Sequence, residues 1–313
     1  MSTYTKNKMI QPNKIIIWGL RKKYHTHRHI HKAFYENANK LGYKVLWLED
    51  EKENAKYIEP NDLIISAEVI GKMVPEKLKL EDYNLPIRGD VYYCLHNYKN
   101  IFLDKLNPAK LVRLQVYSNK VESVSDQKWG SATYFDSKTR TLYQPWGTDL
   151  LPSDFKKPVF NRNHFVFWIG SIWNNAGNQG NLNAIDELKV VLKQNKLKFV
   201  NLRFIPDWLN IFLIRKSRIA PAIVGKYQED IDYLPCRMFK NISYGQLGIT
   251  NVRKFKDILG NSFIEGNSIK EITEKALSLS KDEYVSKVKA QQEIVRNYTY
   301  KNSIENIIRT FDN

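Results

Sequence analysis

The sequence predicts an α/β fold of two doubly wound halves, each a parallel sheet with helices on its faces. Three observations carry this expectation. At 313 residues the chain exceeds what one hydrophobic core usually serves. Short apolar runs alternate with helical patterns throughout. A broken stretch at 142–159, holding Pro145, Gly147, Pro152 and Pro158, separates two such series.

In the first series, residues 14–20 form a continuous apolar run that reads as a buried parallel strand. Ile30, Ala33, Phe34, Ala38 and Leu41 then fall at helical spacing, and Gly42 stops the helix. Further strands follow at 44–48, 62–67, 91–96 and 111–117. In the second series the spacing gives strands at 164–170, 198–204, 220–225, 247–250 and 262–264. Helices are expected at 178–194, 206–216, 235–244, 252–259 and 268–280, then a helical tail over 282–311 interrupted near 297–300. The domains expected are therefore 1–152 and 153–295, with 296–313 as a terminal helical segment.

No run is long and apolar enough to cross a bilayer and no secretory core stands at the N-terminus, so the expected location is the cytoplasm or another reducing space. Cys94 and Cys236 belong to no CxxC pair and read as reduced thiols. The formal charge of +16 calls for an anionic partner: nucleic acid, an anionic membrane touched peripherally, or a phosphorylated small molecule. Lys and Arg are spread along the whole chain and no known nucleic-acid module is visible, which argues against nucleic acid.

Ligands of open parallel sheets sit beyond the carboxyl ends of the strands, which directs attention to three loops. The loop at 21–32 holds four of the six histidines. His25 and His27 lie nearest the strand end and could take a proton from an acceptor hydroxyl; Arg28 stands beside them and His96 is the reserve candidate. Helix capping or plain solvation is the competing reading. His27 and His31 also have the i, i+4 spacing of a metal pair, but cations surround them and no carboxylate completes the set, so no metal is assigned.

The loop at 170–181 opens with Gly170 and Ser171 and leads into a helix, an arrangement that lets backbone N–H groups approach phosphate, although an ordinary flexible connection is the alternative. The segment at 235–245 places Arg237 and Lys240 one turn apart, where two cations could neutralise a leaving diphosphate; solvated helix cations are the plain alternative. Asp230-Ile231-Asp232 matches a DxD metal pattern, but it precedes a helix rather than ending a central strand and is discounted.

In 220–225, 234–245 and 248–251 the chain resembles the donor half of a GT-B glycosyltransferase, and Arg296-Asn297-Tyr298-Thr299-Tyr300 before a last helix is similar to the way such chains end. Tyr143-Gln144-Pro145-Trp146-Gly147-Thr148-Asp149 resembles the interdomain segment with its glycine and acidic residue. The resemblance implies two Rossmann-like domains facing a cleft, the C-terminal helix returning to the N-terminal domain, and metal-independent transfer from a nucleotide diphosphate sugar to a glycan or glycoconjugate hydroxyl. The sugar nucleotide is a co-substrate and no cofactor is implied. Arg237, Lys240, Asn241, Ser243 and Tyr244, with Gly170 and Ser171, would hold the donor, and Asp149 would lie near the cleft. The glutamate pair of the best-known retaining branch is missing, which removes support for that branch and leaves the stereochemistry open, while the histidine-rich first loop favours inversion with a histidine base. A basic nucleic-acid-binding protein and a sugar-nucleotide epimerase of the same fold are the alternatives.

Overall fold

The computed structural model describes residues 10–22, 26–67, 78–117, 124–174 and 180–312. The chain forms two compact units. One comprises Met1–Gln115, Val121–Gln144 and Tyr300–Asn313, the other Val116–Lys120 and Pro145–Thr299. The two units meet in sequence at Gln144/Pro145 and again at Thr299/Tyr300.

The first unit contains β1 (Ile15–Trp18), α1 (Thr26–Lys40), β2 (Val45–Leu48), β3 (Leu63–Ser66), β4 (Tyr92–His96), α2 (Asn100–Leu103), β5 (Leu111–Gln115), β6 (Gln127–Gly130), β7 (Thr133–Asp136) and β8 (Thr141–Tyr143). They make one sheet in the order β2-β1-β3-β4-β5-β8-β7-β6. The strands are parallel from β2 through β8, after which β7 and β6 run antiparallel. The run Ile15, Ile16, Ile17 and Trp18 is wholly buried, as a central strand covered on both faces must be. Ile16, Trp18, Ile64 and Tyr93 pack on one side with Phe102 and Leu103 of α2. The C-terminal helix, Tyr300–Arg309, packs in this unit beside α1, where Phe34 meets Tyr300 edge-on with ring centroids 4.8 Å apart.

The antiparallel strands β6 to β8 were not expected. Their turn is made by side chains: Asp136 accepts from the Thr139 hydroxyl at 2.5 Å and from the Lys138 N–H at 3.2 Å, while Arg140 takes φ 53°. At the opposite end of the central strands Lys14 is 2% exposed. It is paired with the fully buried Asp62 at 3.0 Å and with Glu59, whose side chain is 61% exposed.

The second unit contains β9 (Phe165–Ile169), α3 (Leu182–Gln194), β10 (Lys198–Leu202), α4 (Asp207–Lys216), β11 (Ala220–Pro221), α5 (Lys226–Asp230), α6 (Cys236–Ser243), β12 (Gly248–Ile249), α7 (Phe255–Leu259), α8 (Ile269–Ser278) and α9 (Lys281–Val295). The pairs β9–β10 and β11–β12 are parallel, and the stretch before β11 continues along β9 through Arg218 N–H to Phe165 O at 2.7 Å. Gln291 of α9 engages both polar groups of Gly248, at 2.8 and 3.1 Å, so the outer edge of β12 is closed. Val166, Trp168, Leu188, Leu192, Ile249 and Ile272 belong to its core. No strand forms at 262–264, where a 3-10 turn at Gly260–Ser262 leads into irregular backbone, and the five-residue α5 was not expected.

Removing one member of a buried ion pair leaves an uncompensated charge at a cost of about 3–5 kcal/mol. Asp62→Ala is therefore expected to lower stability by about that amount in urea unfolding, while Glu59→Ala lowers it far less. Equal losses from the two variants would refute the assignment of the pair to Asp62.

Candidate functional site

Unit 2 presents the clearest site. A cavity of about 660 Å³ opens beyond the carboxyl ends of its parallel strands, lined among others by Gly180, Gly225, Glu229, Asn251 and Asn267. Its walls come from the segments that follow β9, β11 and β12. Two of them nearly touch, since a Cβ on Gly225 would collide with the carbonyl of Gly180. Asn181 closes the loop after β9 on itself by accepting from Trp173 N–H at 3.0 Å. Asn251 accepts from Val224 N–H at 2.9 Å and donates to Val224 O at 3.1 Å and to Glu229 at 3.4 Å, so the loop after β12 aligns the Glu229 carboxylate. Tyr227, 45% exposed, and Arg253 complete a lining that joins a flat ring, a carboxylate and cations.

Arg237 occupies the other end of the loop after β9. Its guanidinium lies 3.7 Å from the Trp168 ring centre and donates to Ile169 O at 2.9 Å. Gly170, at φ +138°, has room for no side chain there, because a Cβ would strike the Arg237 Nη2. Among the described residues no carboxylate pairs with Arg237. Burial pulls its pKa down to about 10, against the opposing pull of Cys236 and Tyr233, so it remains a cation at neutral pH. Ser171 is exposed beside it.

Lys240, on the same side of α6, has a different fate. Its ammonium is 3.2 Å from Asp149, with both side chains largely buried. Burial alone would lower the Lys240 pKa, but Asp149, then Cys236 and Asp207, outweigh it and raise it. Asp149 is affected in the mirror sense: burial raises its pKa, and Lys240 with the Tyr244 hydroxyl, 2.9 and 3.0 Å away, brings it below the ordinary value. The three remaining donor candidates face inward. Asn241 donates to Ala220 O at 2.8 Å, Ser243 bonds Thr148 at 2.7 Å and Lys240 O at 2.8 Å, and Tyr244 is 1% exposed against Asp149. They brace α6 and leave Arg237 facing the loop.

In unit 1 the strand order reverses direction between β1 and β3, which places a crevice at their carboxyl ends. Helix α1 begins at Thr26, four residues before the expected start, so His27 and Arg28 belong to its first turn. Arg28 donates to Arg21 O at 2.7 Å and lies over the Trp47 ring at 5.9 Å. His25 lies outside the described residues. His31 and His96 converge on one peptide: His31 Nε2 accepts from Ala67 N–H at 3.0 Å, and His96 Nδ1 donates to Ala67 O at 2.7 Å. Both rings are buried, and the bond from His96 Nδ1–H to the backbone carbonyl fixes the tautomer in which Nε2 is the basic nitrogen. Of the helical pair His27 and His31, His31 faces the sheet and spends Nε2 on the Ala67 N–H. Asp230 of the DxD triplet pairs with Lys226 at 2.7 Å. Among the described residues no three His, Cys, Asp or Glu side chains gather as a metal would require, and no helix is long and apolar enough to cross a membrane.

The sequence reading missed Trp168, Glu229 and Arg253, while Gly225 and Asn251 lay within the segments 220–225 and 248–251 that carry the resemblance without being singled out. The Asp149–Lys240 pair has a pH signature. The lowered Asp149 pKa gives stability that is present above the usual carboxylate range and is lost as pH falls below it. The raised Lys240 pKa gives stability that is lost only as pH rises above the usual ammonium range. Asp149→Asn should cost about 3 kcal/mol at pH 7, a deficit that shrinks at acid pH when urea midpoints of variant and parent are compared. A deficit independent of pH would reject the ion-pair account.

No protein-family profile matches the chain, and no curated protein matches it. Solved structures do. An alpha-glucosyltransferase in complex with UDP and a 13-mer DNA containing a HMU base superposes with a TM-score of 0.58 at 9% identity, covering 95% of this chain and 99% of that one. An alpha-glucosyltransferase in complex with UDP and a 13-mer DNA containing a central A:G mismatch gives 0.58 at 9% identity, over 94% and 98% of the two chains. At such low identity the likeness concerns the fold, and it agrees with the expected GT-B architecture: this chain has the α/β fold of those glucosyltransferases over nearly its whole length.

Proposed function

We propose that the chain is a glycosyltransferase that draws its sugar from a nucleoside diphosphate donor bound by the second unit. The observation that carries this reading is the cavity beyond β9, β11 and β12, lined in part by the same loop whose first glycine lies against Arg237, a cation with no carboxylate partner among the described residues. The Glu229 carboxylate suits ribose hydroxyls, Tyr227 offers a face for the base, and Arg237 supplies positive charge for the diphosphate. Lys240 is already neutralised by Asp149, so its substitution should act on stability more than on turnover.

In the transfer, an acceptor oxygen forms a bond to the anomeric carbon as the bond from that carbon to the diphosphate oxygen breaks. His25 or His27 takes the acceptor proton, and Arg237 stabilises the charge that develops on the departing diphosphate without a metal. Direct displacement of this kind inverts the anomeric centre.

Two acceptor classes follow from different observations. The resemblance of the C-terminal half suggests a glycan or glycoconjugate hydroxyl. The charge of +16 and the DNA present in the neighbours' complexes favour a hydroxyl carried on DNA. Radiolabel transfer from a sugar nucleotide to hydroxymethylated duplex DNA or to polysaccharide acceptors separates them.

A thermal-shift panel of UDP, GDP, CDP and ADP, with and without magnesium, tests the donor site; a ligand at 100 times its Kd adds about 2.7 kcal/mol of stability. One nucleotide should stand out, with the same shift in both conditions. Arg237→Ala should then lower transfer by roughly 100- to 1000-fold. Glu229→Gln should weaken nucleotide binding by roughly tenfold, the effect of losing one charge-assisted hydrogen bond. Full activity in Arg237→Ala, or no nucleotide shift at all, would overturn the reading.

A further inference from the structure

Helix α4 is apolar on two sides. Ile211 and Ile214 turn inward, packing with Ala220 and Tyr244. On the outside Trp208 and Phe212, one turn apart, are 69% and 50% exposed. Phe204, just ahead of the helix, is 63% exposed and sits at φ 54°, a conformation in which a bulky side chain is rare. Leu209 and Leu213, the next residues along the same side, are half-buried and widen the face. A helix apolar all round is ordinarily buried, and an open cluster of this size marks a surface that something covers.

Charge says what covers it. Cations stand at the two ends of the stripe: Arg203 is exposed before Phe204, and the Lys216 ammonium lies 5.7 Å from the Phe212 ring. We infer that α4 and the residues leading into it form an interfacial anchor that inserts Phe204, Trp208 and Phe212 among the lipids of an anionic membrane, with Arg203 and Lys216 at the headgroups. Aromatic rings flanked by Lys and Arg are the composition of helices that lie in the membrane interface. A single-stranded nucleic acid would require cations tracking its backbone along the stripe; here the middle is apolar, and the helix begins with Asp207. A second copy would bring a chain of +16 against another of +16, whereas an anionic bilayer attracts it.

Co-sedimentation of the full chain with vesicles of phosphatidylcholine mixed with phosphatidylglycerol, and of phosphatidylcholine alone, tests the anchor. The parent should sediment with the mixed vesicles. Trp208→Ser/Phe212→Ser should bind them roughly tenfold less well at an unchanged Tm, since interfacial affinity scales with inserted apolar area. If that double variant lowers the Tm, Phe204→Ser, outside the helix, gives the same reading. The inference fails if the parent stays in the supernatant, or if the variants bind as well as the parent, which would assign binding to charge alone. It fails equally if the variants dissolve a dimer seen by light scattering, or abolish oligonucleotide binding in a chain that ignores vesicles.

Discussion

The second unit depends on one desolvated cation. Arg237 is held by the face of Trp168 and by the carbonyl of the last residue of β9, neither of which carries a charge. A half-buried cation with no carboxylate partner among the described residues is costly, and the fold surrounds this one with groups that stabilise it only in part. The arrangement fixes its neighbours. Gly170 cannot carry a side chain, and α6 must keep its rotation, which Met238, Phe239 and Ile242 secure by burial and Asn241 by its bond to Ala220 O. An anion arriving at Gly170 would supply the charge that these neutral partners lack.

The cavity beyond it is made by the same means, with neutral groups. Asn181 and Asn251 satisfy backbone groups that would otherwise face the cavity unpaired, and the near-contact of Gly180 with Gly225 draws two strand ends together. Amide side chains hold these loops without adding charge, so the charged residues of the lining, Glu187, Lys226, Glu229, Asp230 and Arg253, set the local field. The other end of the molecule's logic is visible at Lys14 and Asp62, where a buried pair is fully matched and has nothing left to offer a ligand. Matched charge of this kind braces the strands.

Much of this was legible in the residues. The run at 14–20 could only be a central strand, and the i, i+3 spacing of Arg237 and Lys240 does put both on one side of α6. Spacing gives direction within a helix but says nothing of what lies opposite. Asp149 is 91 positions away from Lys240, so the ion pair that separates the two cations in function could not be read locally. The strands β6 to β8 escaped because a hairpin added to a sheet edge has mixed composition, with a turn made by Asp136 and Thr139 rather than by glycine. Helix α5 escaped because five residues hold little more than one turn of periodicity.

The histidines show the same limit and narrow the chemistry. A cluster at 25–31 invites the choice of any member as a base. In the fold, His31 Nε2 accepts the Ala67 N–H and so bears no proton, while His96 holds the carbonyl of the same residue. A proton taken up at His31 Nε2 would displace that bond and release the end of β3, the strand beside the switch between β1 and β3 where a ligand of this unit would lie. A catalytic base must gain and lose a proton each turnover without moving the scaffold that positions it. His31 does not meet that condition, because the proton would have to come and go on the very nitrogen that holds the Ala67 N–H at the end of β3.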